Sequence, residues 1–159
     1  MKQFSSTRFI ALSAMFSALV FVLTAFARVP ALGGKLYFHL GGIAIYCSAV
    51  LFGPAVGGTA GAVGSALADL MLGVPVWAPI SFMVHGAEGL LVGRLSNGEA
   101  RIGAMAAGAA VMVCGYGVTA WMLYGVAAVP IELVGDVLQG ALGIAGAYAV
   151  LRGLRNAKR

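Results

Sequence analysis

The sequence predicts an all-α integral membrane protein, a compact bundle of six transmembrane helices that forms one domain over residues 1–159. Hydrophobic residues make up 61% of the chain and charged residues 9%, whereas a soluble domain contains roughly 25% charged residues. The mean hydropathy is +0.98. The 24 glycines are scattered through the apolar segments, where small residues let transmembrane helices approach closely. These observations predict a tightly packed bundle in a membrane.

Six apolar stretches follow one another along the chain, and each approaches the ~20 residues that cross a hydrocarbon core of ~30 Å. Proline opens the third, fourth and sixth stretches, at a helix position where its missing N–H leaves no hydrogen bond unmade. The predicted helices are residues 9–27, 36–52, 54–72, 79–95, 102–124 and 130–151.

The first stretch is predicted to remain in the protein as a transmembrane helix. A cleaved signal peptide is the alternative, because residues 1–8 are basic and Ala25-Phe26-Ala27 resembles a cleavage site. The apolar run is longer than the usual apolar core of a signal peptide, about 7–15 residues. One face of this stretch also carries small residues that a discarded peptide does not need, and these are Ala11, Ala14 and Ala18.

The basic residues predict the orientation of the bundle. Eight of the ten lysines and arginines lie on one side if six helices cross the membrane, and cytoplasmic loops are the ones enriched in these residues. Both termini are therefore expected in the cytoplasm of a multi-pass protein of the cell membrane, with Arg28 and Lys35 outside. Because the positive charge falls at helix ends, we expect no nucleic-acid partner despite the net charge of +5.

Four acidic residues lie inside or at the ends of the predicted transmembrane helices, namely Asp69, Glu88, Glu132 and Asp136. An ionisable group at the centre of a transmembrane helix costs at least ~2.5–3.5 kcal/mol. With the predicted orientation, all four fall at the middle of the membrane or in its outer half. This distribution predicts a binding site that opens to the outside.

Other polar and aromatic residues are expected near these carboxylates. His85 and Glu88 share a helix face at a spacing of three residues, and the sixth stretch repeats polar residues at i, i+4 and i+7. Gly33-Gly34 is a plausible hinge that would let residues 28–38 close over the site as a lid. The predicted substrate-binding residues are Lys35, Tyr37, His39, Asp69, Trp77, His85, Glu88, Trp121, Glu132, Asp136 and Gln139.

Structural roles remain open for several of these residues. Trp121 suits the aromatic belt at the membrane surface, and Glu132 suits the positive end of a helix dipole. Asp69 has Arg28 and Lys35 as alternative partners. His85 and Glu88 form either a structural pair or part of the binding site.

Catalytic and cofactor chemistry find little support in the sequence. His85-x-x-Glu88 with a carboxylate of the sixth stretch is a weak zinc option, because no HExxH motif or cysteine cluster accompanies it. No nucleophile motif, phosphate-binding loop or dinucleotide fingerprint is present. We therefore expect a protein that is not an enzyme and that needs no metal or cofactor.

Particular motifs resemble a known family. Ala14-x-x-x-Ala18 in the first stretch, residues 57–70 in the third, and Trp77-Ala78-Pro79 followed by residues 85–93 in the fourth are similar to the substrate-binding S-components of energy-coupling factor (ECF) vitamin transporters. The second and third motifs look like the group for riboflavin, pyridoxine and hydroxymethylpyrimidine. Related chains often have lysine where His85 stands, and this departure from the family pattern implies that the ligand's charge pattern can differ here.

The resemblance implies a mechanism and partners. An S-component binds a vitamin from outside and docks on a transmembrane coupling subunit that carries two ATPase subunits, which hydrolyse the ATP. Ala11, Ala14 and Ala18 would form the contact with the coupling subunit. The alternative is a small stand-alone secondary carrier or channel that uses Glu88 and His85 as a proton relay. Because the outer half holds more acids than bases, a neutral or cationic aromatic heterocycle suits the site better than a dianion. Arg28 and Lys35, the two outward basic residues, leave an anionic vitamin open as the alternative.

Overall fold

Six α-helices and one short β-hairpin form the structure of this protein. The computed structural model describes residues 5–31 and 36–157, and for residues 28–31 and 36–38 it describes the backbone. The helices are α1 (Ser6–Ala25), α2 (Gly41–Phe52), α3 (Pro54–Met71), α4 (Ala78–Ser96), α5 (Ile102–Tyr124) and α6 (Val129–Asn156). The strands β1 (Arg28–Ala31) and β2 (Leu36–His39) pair between α1 and α2, and a 3-10 turn, Val126–Ala128, precedes α6.

The helices match the predicted stretches to within about three residues, except at the start of the second and at the end of the sixth, which continues to Asn156 instead of ending at Leu151. The prediction that the second helix begins at Leu36 is wrong, because Leu36–His39 pairs antiparallel with Arg28–Ala31 and α2 begins only at Gly41. With 12 residues, α2 is about 18 Å long, which is shorter than a hydrocarbon core of ~30 Å. This helix therefore does not span a bilayer alone.

Three helices are long and apolar enough to cross a membrane, judged by length and composition over the described residues. They are Ser6–Ala25, Ile102–Tyr124 and Val126–Asn156, the last of which includes the preceding 3-10 turn. Helices α3 and α4 have 18 and 19 residues, but their glycine and polar residues make them less apolar. These three helices, α1, α5 and α6, thus give the most direct indication that the chain is a membrane protein.

The short helix α2 lies at the centre of the bundle. Eight of its 12 residues are buried, and Ile45, Tyr46 and Val50 belong to the main apolar cluster. This cluster also takes side chains from α1, α3, α4, α5 and α6. A helix buried on all sides needs apolar residues all around, which explains why its sequence looks like a membrane span.

Glycines allow α3 and α4 to pack backbone against backbone. A Cβ atom on Gly89 of α4 would overlap the carbonyl oxygen of Gly57 on α3, and one on Gly61 would overlap the carbonyl oxygen of His85. Small residues at such crossings are the usual device for close helix packing in membranes. The close crossing fixes the position of His85 and Glu88 relative to the third helix.

Large apolar side chains cover the outside of the bundle. Met83 and Met122 are more than 70% exposed, and many other leucines, valines and phenylalanines are at least one-third exposed. Soluble monomers rarely expose continuous apolar surface on this scale. The surface of the described bundle therefore suits contact with lipid.

Candidate functional site

A cavity of about 300 Å³ lies at the end of the bundle next to the β-hairpin. This volume is at the lower end of the range for small-molecule sites, roughly 300–1,000 Å³. Side chains from α1, α3, α4, α5 and α6 converge on it, together with the end of β2. The lining residues are Thr24, His39, Asp69, Leu72, Val74, Trp77, Ser81, Tyr116, Glu132, Gly135, Asp136 and Gln139.

Three carboxylates line this cavity: Asp69 from the last turn of α3, and Glu132 and Asp136 from the first two turns of α6. Asp136 is 8% exposed, and its Oδ2 atom has no hydrogen-bond partner among the described residues. Oδ2 of Asp69 and the hydroxyl of Thr24 are likewise buried without a described partner. Unsatisfied buried polar atoms are rare in proteins. The three atoms in this cavity are therefore free to form hydrogen bonds with a ligand.

The β-hairpin is attached to α6 at this cavity. The backbone N–H of His39, the last residue of β2, donates to Oε1 of Gln139 at 3.3 Å. The amide nitrogen of Gln139 in turn lies 3.4 Å from the sulfur of Met112 on α5. Gln139 thus links the hairpin, α5 and α6, and it holds the imidazole of His39 at the cavity wall.

An aromatic wall forms another side of the cavity. The ring of Trp77 lies 5.8 Å from that of Tyr116 and 6.0 Å from that of Tyr124. The hydroxyl of Tyr116 is 2.6 Å from that of Ser81, which fixes the phenol ring. The ring planes are tilted by 42° and 34°. Trp77 and Tyr116 line the cavity itself, and an aromatic wall suits a planar ligand.

A buried hydrogen-bond network lies behind the aromatic wall. Oε1 of Glu88 accepts a 2.6 Å hydrogen bond from the hydroxyl of Tyr46, and Oε2 lies 2.6 Å from Nδ1 of His85. Glu88 and His85 are 0% and 1% exposed. The His85 ring lies 5.5 Å from that of Tyr116 and 6.0 Å from that of His39. Glu88 therefore does not line the cavity, but it orients His85 directly behind two residues that do.

Replacing Tyr46 with phenylalanine should lower the free energy of unfolding by about 1.5–3 kcal/mol, since it leaves one oxygen of a buried carboxylate without its donor. The measurement is a thermal or denaturant melt of the purified protein in detergent. Tyr124→Phe is the matched control, because Tyr124 is 59% exposed and its ring contact with Trp77 survives the change. Equal stability of the two variants would contradict a stabilising role for the network.

The structure brings together most, but not all, of the predicted site residues. The cavity lining includes His39, Asp69, Trp77, Glu132, Asp136 and Gln139, with His85 and Glu88 packed behind it. Trp121 is 59% exposed and is not among the lining residues. Lys35 lies outside the described residues, as does the side chain of Tyr37. In the described part of the chain, no three His, Cys, Asp or Glu residues are placed to hold a metal ion.

Sequence reasoning missed several cavity and network residues, most clearly Thr24, Ser81, Tyr116 and Tyr46. Two signals were available for three of them, and none for Thr24. Ser81 precedes His85 by four residues and so shares its helix face. Tyr116 and Tyr46 are tyrosines within apolar helices, away from the membrane surface where tyrosine is usually found.

A second concave surface lies between α1 and α3. This α1–α3 groove of about 540 Å³ is lined by small and apolar residues, and Ala14 and Ala18 are both exposed along it. Ala11 is exposed on the same helix but is not part of the lining. The groove residues are Ser13, Ala14, Ser17, Ala18, Phe21, Thr59, Val63 and Leu67.

Comparison with known proteins gives two matches. The family model described as "ECF-type riboflavin transporter, S component" matches residues 4–156. A Pyrococcus woesei protein named "Uncharacterized protein in gap 3'region" is 42% identical over 129 residues. The aligned residues cover 79% of this chain and 86% of the relative. The matched range, residues 4–156, contains all the described residues that form the cavity, the buried network and the α1–α3 groove.

Proposed function

Because this chain belongs to the family of ECF-type riboflavin transporter S components, we propose that it binds a vitamin or vitamin precursor outside the cell and delivers it across the membrane. The single observation that carries this proposal is the family match over residues 4–156. The chain itself would bind and carry its ligand, and catalysis of ATP hydrolysis would belong to partner subunits.

The cavity next to the hairpin is the proposed ligand site. Its size, its aromatic wall and its unpartnered polar atoms support this assignment, because ligand sites combine apolar walls with a few placed polar groups. His85 and Glu88 would act as positioning residues behind the wall. Lys35 and Tyr37 stay proposed ligand contacts on the strength of the sequence alone, and Trp121 would face the membrane surface.

The proposed orientation places the cavity outside and both termini in the cytoplasm. The basic residues at the start of α1, at the α4–α5 connection and at the end of α6 support this arrangement. Those among the described residues lie at the opposite end of the bundle from the hairpin, Asp69 and Glu132. A ligand would then enter from outside, beneath the hairpin.

The α1–α3 groove is the proposed contact with the transmembrane coupling subunit, which carries two ATPase subunits. Exposed Ala14 and Ala18 support this assignment, because small residues let a partner helix approach closely without burying polar groups. Docking on this side would leave the ligand cavity unobstructed. The lipid bilayer surrounds the rest of the bundle.

A stand-alone carrier with a His85–Glu88 proton relay is less consistent with the geometry. A relay must exchange protons with water, whereas these side chains are about 1% exposed. Both oxygens of Glu88 already have hydrogen-bond partners. We therefore assign the pair to the support of the site.

Co-expression of the chain with an ECF coupling module tests the proposal. We expect the tagged chain to co-purify with the coupling subunit and both ATPases, and cells to accumulate a radiolabelled vitamin only when the whole assembly is present. A variant of the ATPases that cannot hydrolyse ATP is the control and should abolish accumulation. Accumulation by the chain alone, at the rate of the assembly, would overturn the proposal in favour of a stand-alone carrier.

A further inference from the structure

We propose that the cavity selects a cationic, nitrogen-containing aromatic ring, with Asp136 as the main residue that recognises its positive charge. This inference rests on the proposed function and adds the ligand class, which differs from the neutral riboflavin of the family name. It is carried by the charge of the lining, by the burial of Asp136 and by the aromatic wall.

The described lining residues include more acidic than basic side chains. Asp69, Glu132 and Asp136 line the cavity, and no lysine or arginine does so among the residues whose side chains are described. His39 is the one described lining residue that is able to carry positive charge. His85 lies behind the wall, with its Nδ1 atom 2.6 Å from Oε2 of Glu88. A ligand with positive charge would compensate the lining, whereas an anion would add to the repulsion.

Among the acidic residues that line the cavity, Asp136 is the most buried one with an unpartnered oxygen. It is more than nine-tenths buried, and its Oδ2 atom makes no hydrogen bond with the described residues. Burial of an unpaired carboxylate is costly, and a nearby cation with a hydrogen-bond donor removes most of that cost. Thr24, 5% exposed, offers a second unpartnered polar atom on the same cavity.

The aromatic wall favours the same class of ligand. The rings of Trp77 and Tyr116 line the same cavity as the carboxylates. A planar ring can stack on them, and a cationic ring gains additional attraction from their quadrupoles. The carboxylates and the wall thus select together for charge and planarity.

The test compares three aromatic probes on the detergent-solubilised protein by calorimetric titration. Thiamine has a permanently charged ring nitrogen, riboflavin is neutral, and riboflavin 5′-phosphate is an anion with the same ring as riboflavin. We expect thiamine to bind most tightly and the phosphate least tightly. Asp136→Asn should weaken thiamine binding by about 10- to 100-fold, the loss of one charge-assisted hydrogen bond, and change riboflavin binding by less than about threefold.

Two further variants make the test independent of folding defects. Asp69→Asn removes another lining charge at a half-buried position and should weaken thiamine binding in the same direction. Glu99→Gln is the control, because Glu99 pairs with Arg101 at an exposed position away from the cavity. This variant should bind all three probes as the native protein does.

The possible results separate the inference from the proposed function. Tighter binding of riboflavin than of thiamine, with no loss in Asp136→Asn, would overturn the cationic class and leave the vitamin-binding function intact. Failure of all three probes to bind, together with no uptake by the full assembly, would overturn both.

Discussion

Replacing Ala14 or Ala18 with tryptophan is expected to reduce vitamin uptake by the full assembly at least about tenfold and to leave ligand binding unchanged. Both alanines are exposed along the α1–α3 groove. A tryptophan there would fill the groove and hold a partner helix several ångströms away, where close packing is lost. The proposed ligand cavity takes Thr24 from α1 and neither alanine. Uptake in cells and calorimetric titration of the purified protein measure the two effects separately.

The matched control for these variants is Ala106→Trp. Ala106 is exposed on α5, which contributes no residue to the groove, so a tryptophan at this position should face lipid and preserve uptake. Co-purification gives an independent measurement, since Ala14→Trp should lose the coupling subunit and Ala106→Trp should retain it. Normal uptake in both groove variants would exclude this face as the contact with the coupling module.

The helices and the acidic residues of the site could be predicted because a bilayer strongly limits which residues a transmembrane segment can contain. Long apolar stretches mark the helices, and each polar residue within them has an energetic cost that demands a reason. That argument identified Asp69, Glu132 and Asp136, which the structure places around one cavity. The i, i+4, i+7 spacing of α6 was enough to put Gln139 on the same side.

The partners across helices could not be predicted, because these helices are apolar nearly all around and no polar face sets their rotation. Tyr46 and Glu88 are 42 positions apart, and Tyr116 reaches Ser81 from another helix. Both contacts depend on how neighbouring helices are rotated against one another, which the sequence pattern of a single helix does not specify. The start of α2 was misplaced for a related reason, since Leu36–His39 is as apolar as a helix but pairs with β1.

The close crossing of α3 and α4 should be the most sensitive point of the fold, and Gly89→Leu is expected to prevent recovery of folded protein. A Cβ on Gly89 would overlap the carbonyl group of Gly57, which is backbone and cannot move aside like a side chain. Overpacking costs about 1–3 kcal/mol where side chains can adjust, so a clash with backbone should exceed about 3 kcal/mol. Gel filtration and a thermal melt in detergent measure the loss.

Gly103→Leu on α5 separates this steric effect from the general effect of replacing a glycine in an apolar helix. A Cβ on Gly103 would meet no atom within 4 Å, and leucine is a better helix former than glycine. This control should therefore be at least as stable as the native protein.

Because the α3–α4 crossing also positions His85 and Glu88 behind the cavity, the milder Gly89→Ala should weaken ligand binding and stability together. A Gly89→Leu protein that melts like the native one would show that α3 and α4 are not in backbone contact at this position.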